Sequence, residues 1–205
     1  MAGIGEDINS VLSELGSPIT IYKIDGSVIT GEFIDYDFYY DQSTEFIRQN
    51  CYAGDFFYNT QADFGDVVLV NGLYLLVLNR KATMFEQESV INNCFMVETN
   101  CYGYFSRQSS VRVNMEKTVT WTKTVENVYG LQVESIRDPT NILTPEINTP
   151  MVSEDLYVPN RGTILVGDRW YPRTSVSTEY FKVANIATRT FKNCLKIKLE
   201  PDTRE

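Results

Sequence analysis

Two segments of the chain share an opening and then continue as runs of β-forming residues. Residues 64–79 read FGDVVLVNGLYLLVLN, and residues 166–199 read VGDRWYPRTSVSTEYFKVANIATRTFKNCLKIKL. In each, an apolar residue precedes Gly-Asp, and residues that favour strands follow. The recurrence is either an internal repeat or a chance result, because Gly-Asp is a common entry to a strand. Both segments predict a β-rich chain built from small modules.

The N-terminal segment predicts a short amphipathic helix over residues 5–15. Its apolar residues Ile8, Val11, Leu12 and Leu15 have helical spacing, acids precede them, and Gly16 and Pro18 follow. We expect this helix to dock either on a β core or on a neighbouring subunit.

Hairpins are predicted next in the chain. Residues 19–24 and 28–34 flank an Asp25-Gly26 turn, and a second hairpin turns at Asn71-Gly72. Residues 41–55 are expected to form a loop with a possible strand at 45–49. Residues 80–90 are expected to form a turn or long loop, and a strand follows at 90–100.

The second half of the chain predicts long extended segments. Alternation over residues 111–125 indicates a strand that either crosses between modules or forms an extended hairpin arm. Residues 137–160 carry four prolines and predict a long extended loop, expected to be mobile until a neighbour orders it. Strands are expected at 162–171, 179–188 and 194–202.

These patterns predict the fold class and the domains. We expect a mainly β protein with one or two small β-barrel or sandwich modules, a short N-terminal helix, and extended loops or arms. The predicted domains are residues 1–108, holding the helix and first module, and residues 109–205, holding the second module with an arm at 137–160.

Composition excludes several kinds of chemistry. The chain has 205 residues, a net charge of −9 and no histidine. Catalytic sites and zinc sites that need histidine are therefore excluded. The acidic balance does not supply the basic surface that sequence-independent DNA binding needs, and it agrees with a role in solubility.

Cysteine spacing and hydropathy indicate the state of the thiols and the cellular compartment. Cys51, Cys94, Cys101 and Cys194 form no C-x-x-C pair, which favours reduced core thiols over a zinc site or a disulfide framework. The N-terminal segment lacks the pattern of a signal peptide, and no apolar run is long enough to predict a membrane span. We expect assembly in a cytoplasm.

Two acidic groups are candidates for chemistry. Glu32, Asp35, Asp37 and Asp41 could offer oxygen ligands to Mg²⁺ or Ca²⁺, but they match no calcium loop, and a solvated strand face is preferred. The second group is Asp55, Asp63 and Asp66. Paired carboxylates can cleave glycosidic bonds, yet nothing in the sequence fixes their separation. No catalytic residue, metal site or cofactor is predicted.

Basic residues gather near the C-terminus with aromatic residues between them. They are Arg161, Arg169, Arg173, Lys182, Arg189, Lys192, Lys196 and Lys198, interleaved with Trp170, Tyr171, Tyr180 and Phe181. Such a set can bind nucleic acid by stacking and charge. Because Lys196 and Lys198 alternate with apolar residues, an ordinary half-exposed strand is preferred.

Two stretches carry a family resemblance. GDVVLVNGLYLLVLNRKATMFEQESVINNCFMVETNCYGYF and YFKVANIATRTFKNCLKIKLEPD cover about a third of the chain. They resemble parts of the neck and connector proteins of tailed bacteriophages, in which a Gly-Asp hairpin precedes a strand ending near a cysteine and an asparagine. The alternation at 111–125 and the proline-rich 137–160 depart from that pattern.

The resemblance implies a non-enzymatic virion protein that is assembled in the host bacterial cytoplasm. It would form a homo-oligomeric ring between head and tail, with portal or adaptor proteins and tail proteins as partners, and DNA would pass without specific binding. The acidic stretches 35–41 and 55–66 would then face the channel. The alternatives are another tail or baseplate component, or a carbohydrate-binding or carbohydrate-cleaving β protein.

Overall fold

The computed structural model describes residues 3–39, 51–113, 116–135, 153–173 and 180–204. Over these ranges the chain is mainly β, as predicted, with one short helix near its N-terminus. The elements are α1 (Ile4–Leu15), β1 (Ser17–Tyr22), β2 (Val28–Phe38), β3 (Cys51–Phe56), β4 (Val67–Val70), β5 (Leu73–Phe85), β6 (Glu88–Glu98), β7 (Cys101–Val113), β8 (Glu116–Ser135), β9 (Ser153–Pro159), β10 (Arg169–Pro172), β11 (Phe181–Phe191) and β12 (Cys194–Pro201).

The chain divides into two compact units. The first unit is Met1–Thr99 together with Thr188–Cys194, and the second is Asn100–Ala187 together with Leu195–Glu205. The division after Thr99 lies before the expected boundary between residues 108 and 109. It lies there because β7 begins at Cys101 and already contributes Phe105 to the core of the second unit.

The first six strands form a closed antiparallel barrel in the order β1-β2-β3-β6-β5-β4, and β4 pairs back with β1. Apolar side chains that alternate along these strands fill its interior. Ile21, Ile34, Phe56, Leu75 and Met96 are fully buried there. Where the barrel is closed no strand has a free edge, so the barrel cannot add a strand there without opening.

The last six strands form a second closed barrel in the order β10-β11-β12-β9-β8-β7. Read from β7, this order is β7-β8-β9-β12-β11-β10, the order of the first barrel with each strand replaced by the one six places later. Phe105, Leu156, Trp170, Val183 and Ile197 fill the second core. The two barrels therefore share one topology.

Helix α1 docks on the first barrel, which is one of the two placements expected for it. Leu12 is buried, and Gly5 lies so close to the ring of Tyr58 that a Cβ there would be 2.8 Å from it. The Asn9 side chain donates to Asn59 and accepts from the backbone N–H of Tyr58. These contacts fix the helix on the loop that follows β3.

Three loop predictions are wrong. Residues 80–90 continue β5 and β6 around a tight turn at Glu86 and Gln87, both with positive φ. Residues 153–159, expected within a loop, form β9 and pair with β8. In these two cases pairing with a long neighbouring strand overrides weak local β propensity. Residues 51–55, the end of the loop expected at 41–55, form β3 and pair with β2 and β6. Residues 41–50 and 137–152 lie outside the described residues, and so do the expectations for them.

The alternating segment at 111–125 belongs to a hairpin and is not a crossover. Strands β7 and β8 pair from Cys101↔Gly130 to Val113↔Glu116. Only Gly103–Ser106 of β7 also pairs with β10, so the outer half of this hairpin extends beyond the barrel. The alternative of an extended hairpin arm is therefore confirmed.

All four cysteines are buried, and none of them forms a disulfide. Burial raises the pKa of Cys94, Cys101 and Cys194 to about 12, because an ionised thiolate is poorly solvated in an apolar core. Their thiols are therefore core groups of low reactivity. This agrees with the interpretation of their spacing as core thiols.

Candidate functional site

The first Gly-Asp element forms a tight turn that enters β4. Gly65 has a φ of +81°, and its N–H donates to the Val77 carbonyl, while the Val77 N–H donates to the Asp66 carbonyl. The buried Asp66 carboxylate accepts the Asp63 N–H at 2.7 Å. Lys23 donates to the same carboxylate at 2.5 Å and to the Gln61 carbonyl at 2.6 Å.

The second Gly-Asp element repeats this set of bonds at the entry to β10. Gly167 has a φ of +94°, and Gly167 and Val183 exchange the same two backbone bonds around Asp168. The buried Asp168 carboxylate accepts the Leu165 N–H at 2.8 Å. Arg107 donates to both carboxylate oxygens, at 2.8 and 2.9 Å, and to the Thr163 carbonyl.

The two cations occupy equivalent positions, which establishes the repeat. Tyr22 pairs with Val67, and Ser106 pairs with Arg169. Lys23 and Arg107 directly follow Tyr22 and Ser106, so they occupy the same register position relative to the Gly-Asp element of their own unit. Each cation spans a Gly-Asp carboxylate and a carbonyl five residues before that aspartate. A chance recurrence would not reproduce the register, the turn and the ion pair together. The doubled Gly-Asp element is an internal repeat.

The carboxylate of the first turn is poorly solvated. Burial raises the pKa of Asp66, and the hydrogen bonds from Lys23 and from the Asp63 N–H oppose that rise without cancelling it. The turn therefore holds a charge at neutral pH at some cost to the stability of the first unit. Lysine offers one donor group to this carboxylate, whereas arginine binds its counterpart with two.

A stack of aromatic rings and cations lies on the second barrel. Tyr104 and Tyr171 stack with centroids 4.6 Å apart and planes within 5°, and Tyr180 packs on Tyr171 at 4.7 Å. The guanidinium of Arg173 lies 5.5 Å from the Tyr104 centroid, and the Lys123 ammonium lies 4.8 Å from it. These rings and cations are already partners of one another.

Next to this stack lies a buried ion pair. Arg169 donates to Asp202 at 2.7 Å, and its guanidinium lies 3.8 Å from the Trp121 centroid. Arg204 donates to the same carboxylate. Burial alone would raise the pKa of Asp202, but the hydrogen bonds from Arg204 and Arg169 outweigh burial and hold that pKa far below its usual range. The C-terminal segment is thereby fixed to the barrel.

The structure separates the first acidic group. Glu32 is buried and accepts from the Thr60 hydroxyl and the Gln61 N–H. Asp35 is exposed and lies directly across the ladder from Asp55, while Asp37 is exposed two residues further along β2. Asp41 lies outside the described residues. The group is therefore not a single cluster: Glu32 is a buried structural residue, and Asp35 and Asp37 lie on an exposed strand face.

The second acidic group is also divided. Asp66 belongs to the Gly-Asp turn, and Asp63 bonds the N–H of its neighbour Phe64. Asp55 accepts from the side chain of Asn93. Each carboxylate has its own structural contact, and this division does not assemble the paired acids of a glycosidase.

The C-terminal basic residues do not form one surface with the aromatics. Trp170 and Phe181 are core residues, whereas Tyr171 and Tyr180 belong to the outer stack. Lys196 pairs with Asp155 at 3.4 Å. Among the remaining cations, Arg161 donates to the Glu126 carbonyl, Arg189 and Lys192 are exposed near a turn, and Lys182 and Lys198 are half-buried on strands.

Sequence reasoning missed Lys23, Arg107 and the tip of the β5–β6 hairpin. The tip carries Met84 and Phe85, which are 56% and 50% exposed. The sequence did contain a signal for the tip: in both repeats a segment of β-forming residues ends in a phenylalanine, Phe85 in the first and Phe191 in the second. It contained no signal for the cations, because β1 and β7 differ in sequence around them.

Within the part of the chain that the structure describes, no three or more Cys, Asp or Glu side chains come together as a metal site would require. None of the helices found there has the length and apolar character needed to cross a bilayer.

Comparison with known proteins adds little to this description. No protein-family model matches the chain, and no curated protein sequence matches it either. Among solved structures, the chain is similar to MrkH of K. pneumonia, with 9% identity, a TM-score of 0.20, and coverage of 100% of this chain and 89% of that one. At that TM-score the likeness carries no argument about fold or function.

Proposed function

We propose that this protein is a structural component of a tailed-bacteriophage virion, forming a homo-oligomeric ring in the neck that connects the head, at its portal, to the tail. The observation that carries the proposal is a pair of closed barrels from which two long hairpins, β5–β6 and β7–β8, extend. The resemblance of residues 65–105 and 180–202 to neck proteins supports it.

Closed barrels determine how such a protein makes contacts. A ring subunit needs rigid bodies and projecting parts, since a heterologous interface must join two different surfaces of each copy. Closure removes the strand edges within each barrel, so the hairpins that extend beyond the barrels and the turns are the available contact elements. Portal or adaptor proteins and tail proteins are the other proposed partners.

The proposed role includes no catalysis and no resident cofactor. The buried acids Glu32 and Asp66 have structural partners on the first barrel. Reproducible hydrolysis of nucleotides, glycans or peptides by the purified protein would count against a purely structural role. The test is a turnover assay in which wild type is compared with an Asp35→Ala, Asp37→Ala double variant.

The proposed function includes the passage of DNA through the ring. The channel face would carry exposed acids, which repel phosphate and prevent the counterion release that drives DNA binding. On the first barrel the acids suited to this face are Asp35, Asp37 and Asp55, because Asp66 is buried in its turn. We expect negligible DNA binding at physiological salt, and tight binding measured by fluorescence anisotropy would contradict this part of the proposal.

The location on a particle tests the proposal directly. Gold-labelled antibodies against the purified chain are applied to virions from a host that carries its gene, and the label is located by electron microscopy. We expect label between head and tail. Label on the baseplate or tail would support the alternative of another tail component, and virions without label would overturn both.

A carbohydrate-binding protein is the alternative from another class. Its support is the row of tyrosines on the second barrel, since stacked aromatic faces also bind sugars. The rings of Tyr104 and Tyr171 already stack on each other, however, which leaves less face free for a sugar. Binding on a glycan array that is lost in Tyr180→Ala, the most exposed ring of the row, would favour this alternative.

A further inference from the structure

The turn at Gly65 is covered by another segment of the first unit, residues 188–194, which join β11 to β12. Lys192 lies 4.8 Å from the centroid of Phe64, and a Cβ placed on Gly65 would collide with the Asn193 carbonyl oxygen. The Cys194 thiol lies 3.7 Å from the Val77 carbonyl and is buried. A hairpin tip thus closes over this Gly-Asp turn.

The equivalent turn of the second unit has no such cover among the described residues. Leu165 and Val166, which precede Gly167, are 51% and 62% exposed. Nothing in the described chain lies within 4 Å of a Cβ placed on Gly167. The turn has the same hydrogen bonds as its counterpart and therefore the same backbone shape. Its apolar side chains, however, face solvent.

The hairpin that corresponds to residues 188–194 is the β5–β6 tip of the first unit. Val77 and Val183 are equivalent, because each bonds the Gly-Asp turn of its own unit. The same number of residues separates Val77 from Glu86 and Val183 from Lys192, the first residues of the two turns. Position 85 of the first unit is therefore equivalent to position 191, and both positions hold a phenylalanine. Met84 and Phe85 are the exposed apolar residues of this tip.

Charge at the tips and turns has complementary signs. The covering segment presents Lys192 to a turn that contains the acids Asp63 and Asp66. The β5–β6 tip instead carries Glu86 and Glu88, and the uncovered turn is flanked by arginines. Arg107 binds Asp168 with 41% of its side chain exposed, and Arg204 donates to the Gly167 carbonyl at 3.0 Å. The acidic tip therefore suits the uncovered turn better than the turn of its own unit.

We infer that the tip Met84–Glu88 of one copy docks on the turn Leu165–Asp168 of a second copy of this chain. The contact would repeat, between molecules, the arrangement that residues 188–194 make on Gly65. It deepens the proposed function and rests on its self-association. Because tip and turn are different surfaces, each copy can bind one neighbour through its tip and another through its turn, which gives a head-to-tail ring or filament.

The first test is the mass of the purified full chain as a function of concentration, measured by sedimentation equilibrium. Wild type is expected to self-associate. Phe85→Ser and Val166→Asp are each expected to weaken association about thirtyfold, as for an anchor in the centre of an interface. Val11→Asp is the matched control, because Val11 is 54% exposed on α1, outside both surfaces. A monomeric wild type, or variants that associate as wild type does, would overturn the contact.

Mixing the two variants separates lost binding from misfolding. Phe85→Ser keeps an intact turn, and Val166→Asp keeps an intact tip. A mixture is expected to form a dimer and nothing larger, because only one of its possible tip–turn pairs is intact. If wild type associates but the mixture stays monomeric, the head-to-tail arrangement is wrong.

A cysteine pair tests the geometry. Glu86 and Val166 are the counterparts of Lys192 and Phe64, which are in contact. Since the native cysteines are buried, Glu86→Cys on one copy and Val166→Cys on another are expected to form a disulfide on mixing under mild oxidation. Glu14→Cys with Val166→Cys is the control pair, and equal cross-linking of both pairs would contradict the inference.

The outcomes distinguish this contact from the proposed function. Neck labelling of virions together with unaltered association of the tip variants would retain the virion role and overturn the contact. Association through the tip in a protein that is absent from virions would do the reverse.

Discussion

The two barrels share one framework and differ in what surrounds it. Each has the same strand order and the same Gly-Asp turn, with a buried carboxylate that accepts an N–H three residues earlier. The first turn is paired with Lys23 and covered by residues 188–194, whereas the second is paired with Arg107 and exposes Val166. The difference teaches that the turn belongs to the fold and that its cover is an added contact.

The outer surfaces of the two barrels differ in how their polar and aromatic groups are arranged. On the second barrel, tyrosines stack beside Arg169 and its buried partner Asp202. On the first barrel, Asp35 lies opposite Asp55 on neighbouring strands, an arrangement of like charges that destabilises a sheet. On the second barrel the surface groups are therefore partners of one another, whereas the first barrel keeps two carboxylates opposite each other, one of which accepts a hydrogen bond from Asn93.

Alanine at each buried turn aspartate should produce the largest effect. Asp66→Ala and Asp168→Ala each leave a backbone N–H and a cation without their acceptor, so each is expected to lower the free energy of unfolding by about 3 kcal/mol. Urea denaturation is the measurement. Circular dichroism follows both barrels, and tryptophan fluorescence follows the second alone, because Trp121 and Trp170 both lie there.

The control for this pair is Glu14→Ala, an exposed substitution on α1 that should change stability by less than about 0.5 kcal/mol. A loss confined to one barrel would show that the two turns are equivalent in shape but not in energy. It would also break the comparison on which the tip–turn contact is built.

Alanine at the turn glycines sharpens the contrast between covered and uncovered turns. Both residues have positive φ, which costs an alanine about 1 kcal/mol. At Gly65 the new methyl group also meets the Asn193 carbonyl, whereas at Gly167 it meets none of the described residues. Gly65→Ala should therefore lose about 2 kcal/mol more than Gly167→Ala in the monomer. Equal losses by denaturation would mean that residues 188–194 do not press on the turn.

Acid should affect the two units in opposite directions. The raised pKa of Asp66 means that its folded form binds a proton first, so its contribution to stability increases as the pH falls toward about 4. The lowered pKa of Asp202 stabilises the second unit above about pH 4, and this contribution is lost as the pH falls further. Unfolding followed between pH 7 and 2.5 should show both trends.

Two variants assign these pH trends. Asp66→Asn should abolish the gain on mild acidification, and Asp202→Asn should flatten the loss at lower pH that tryptophan fluorescence reports. Wild-type curves that remain parallel for the two probes across the range would contradict the assignment.

The smallest effect is expected at the like-charged pair. Asp35→Asn removes the repulsion with Asp55 while keeping the shape of the side chain, and should raise stability by about 0.5 kcal/mol. Thermal denaturation at low and high salt is the measurement. The gain should shrink at high salt, because screening already weakens the repulsion in wild type. A loss of stability would mean that Asp35 has a favourable contact.

Much of the fold could be predicted from local pattern. The turns at Asp25-Gly26 and Asn71-Gly72, the helix ending before Gly16, and the strands at 181–191 and 194–201 follow from turn chemistry and periodicity. The strand through residues 80–85 could not, because it is polar and is held by pairing with β6. The equivalence of the repeats was not visible in the sequence, because eight residues separate β10 from β11 whereas two separate β4 from β5.

The candidate site was harder to predict than the fold. The acidic residues were visible as clusters, but sequence spacing did not reveal that Glu32 points to Thr60 while Asp35 remains exposed. Lys23 and Arg107 lie far along the chain from the aspartates they bind, so only strand register brings each pair together. Long-range register is the information that composition and local pattern lack.

The interrupted first unit has a consequence for synthesis. Its final segment, Thr188–Cys194, leaves the ribosome long after Thr99. At roughly 5–20 residues per second, the wait lasts on the order of 5–20 s. During that time the Gly65 turn of a nascent chain is as open as the Gly167 turn of the finished protein. Slow translation after residue 99 prolongs this exposure and should lower the yield of correctly folded protein.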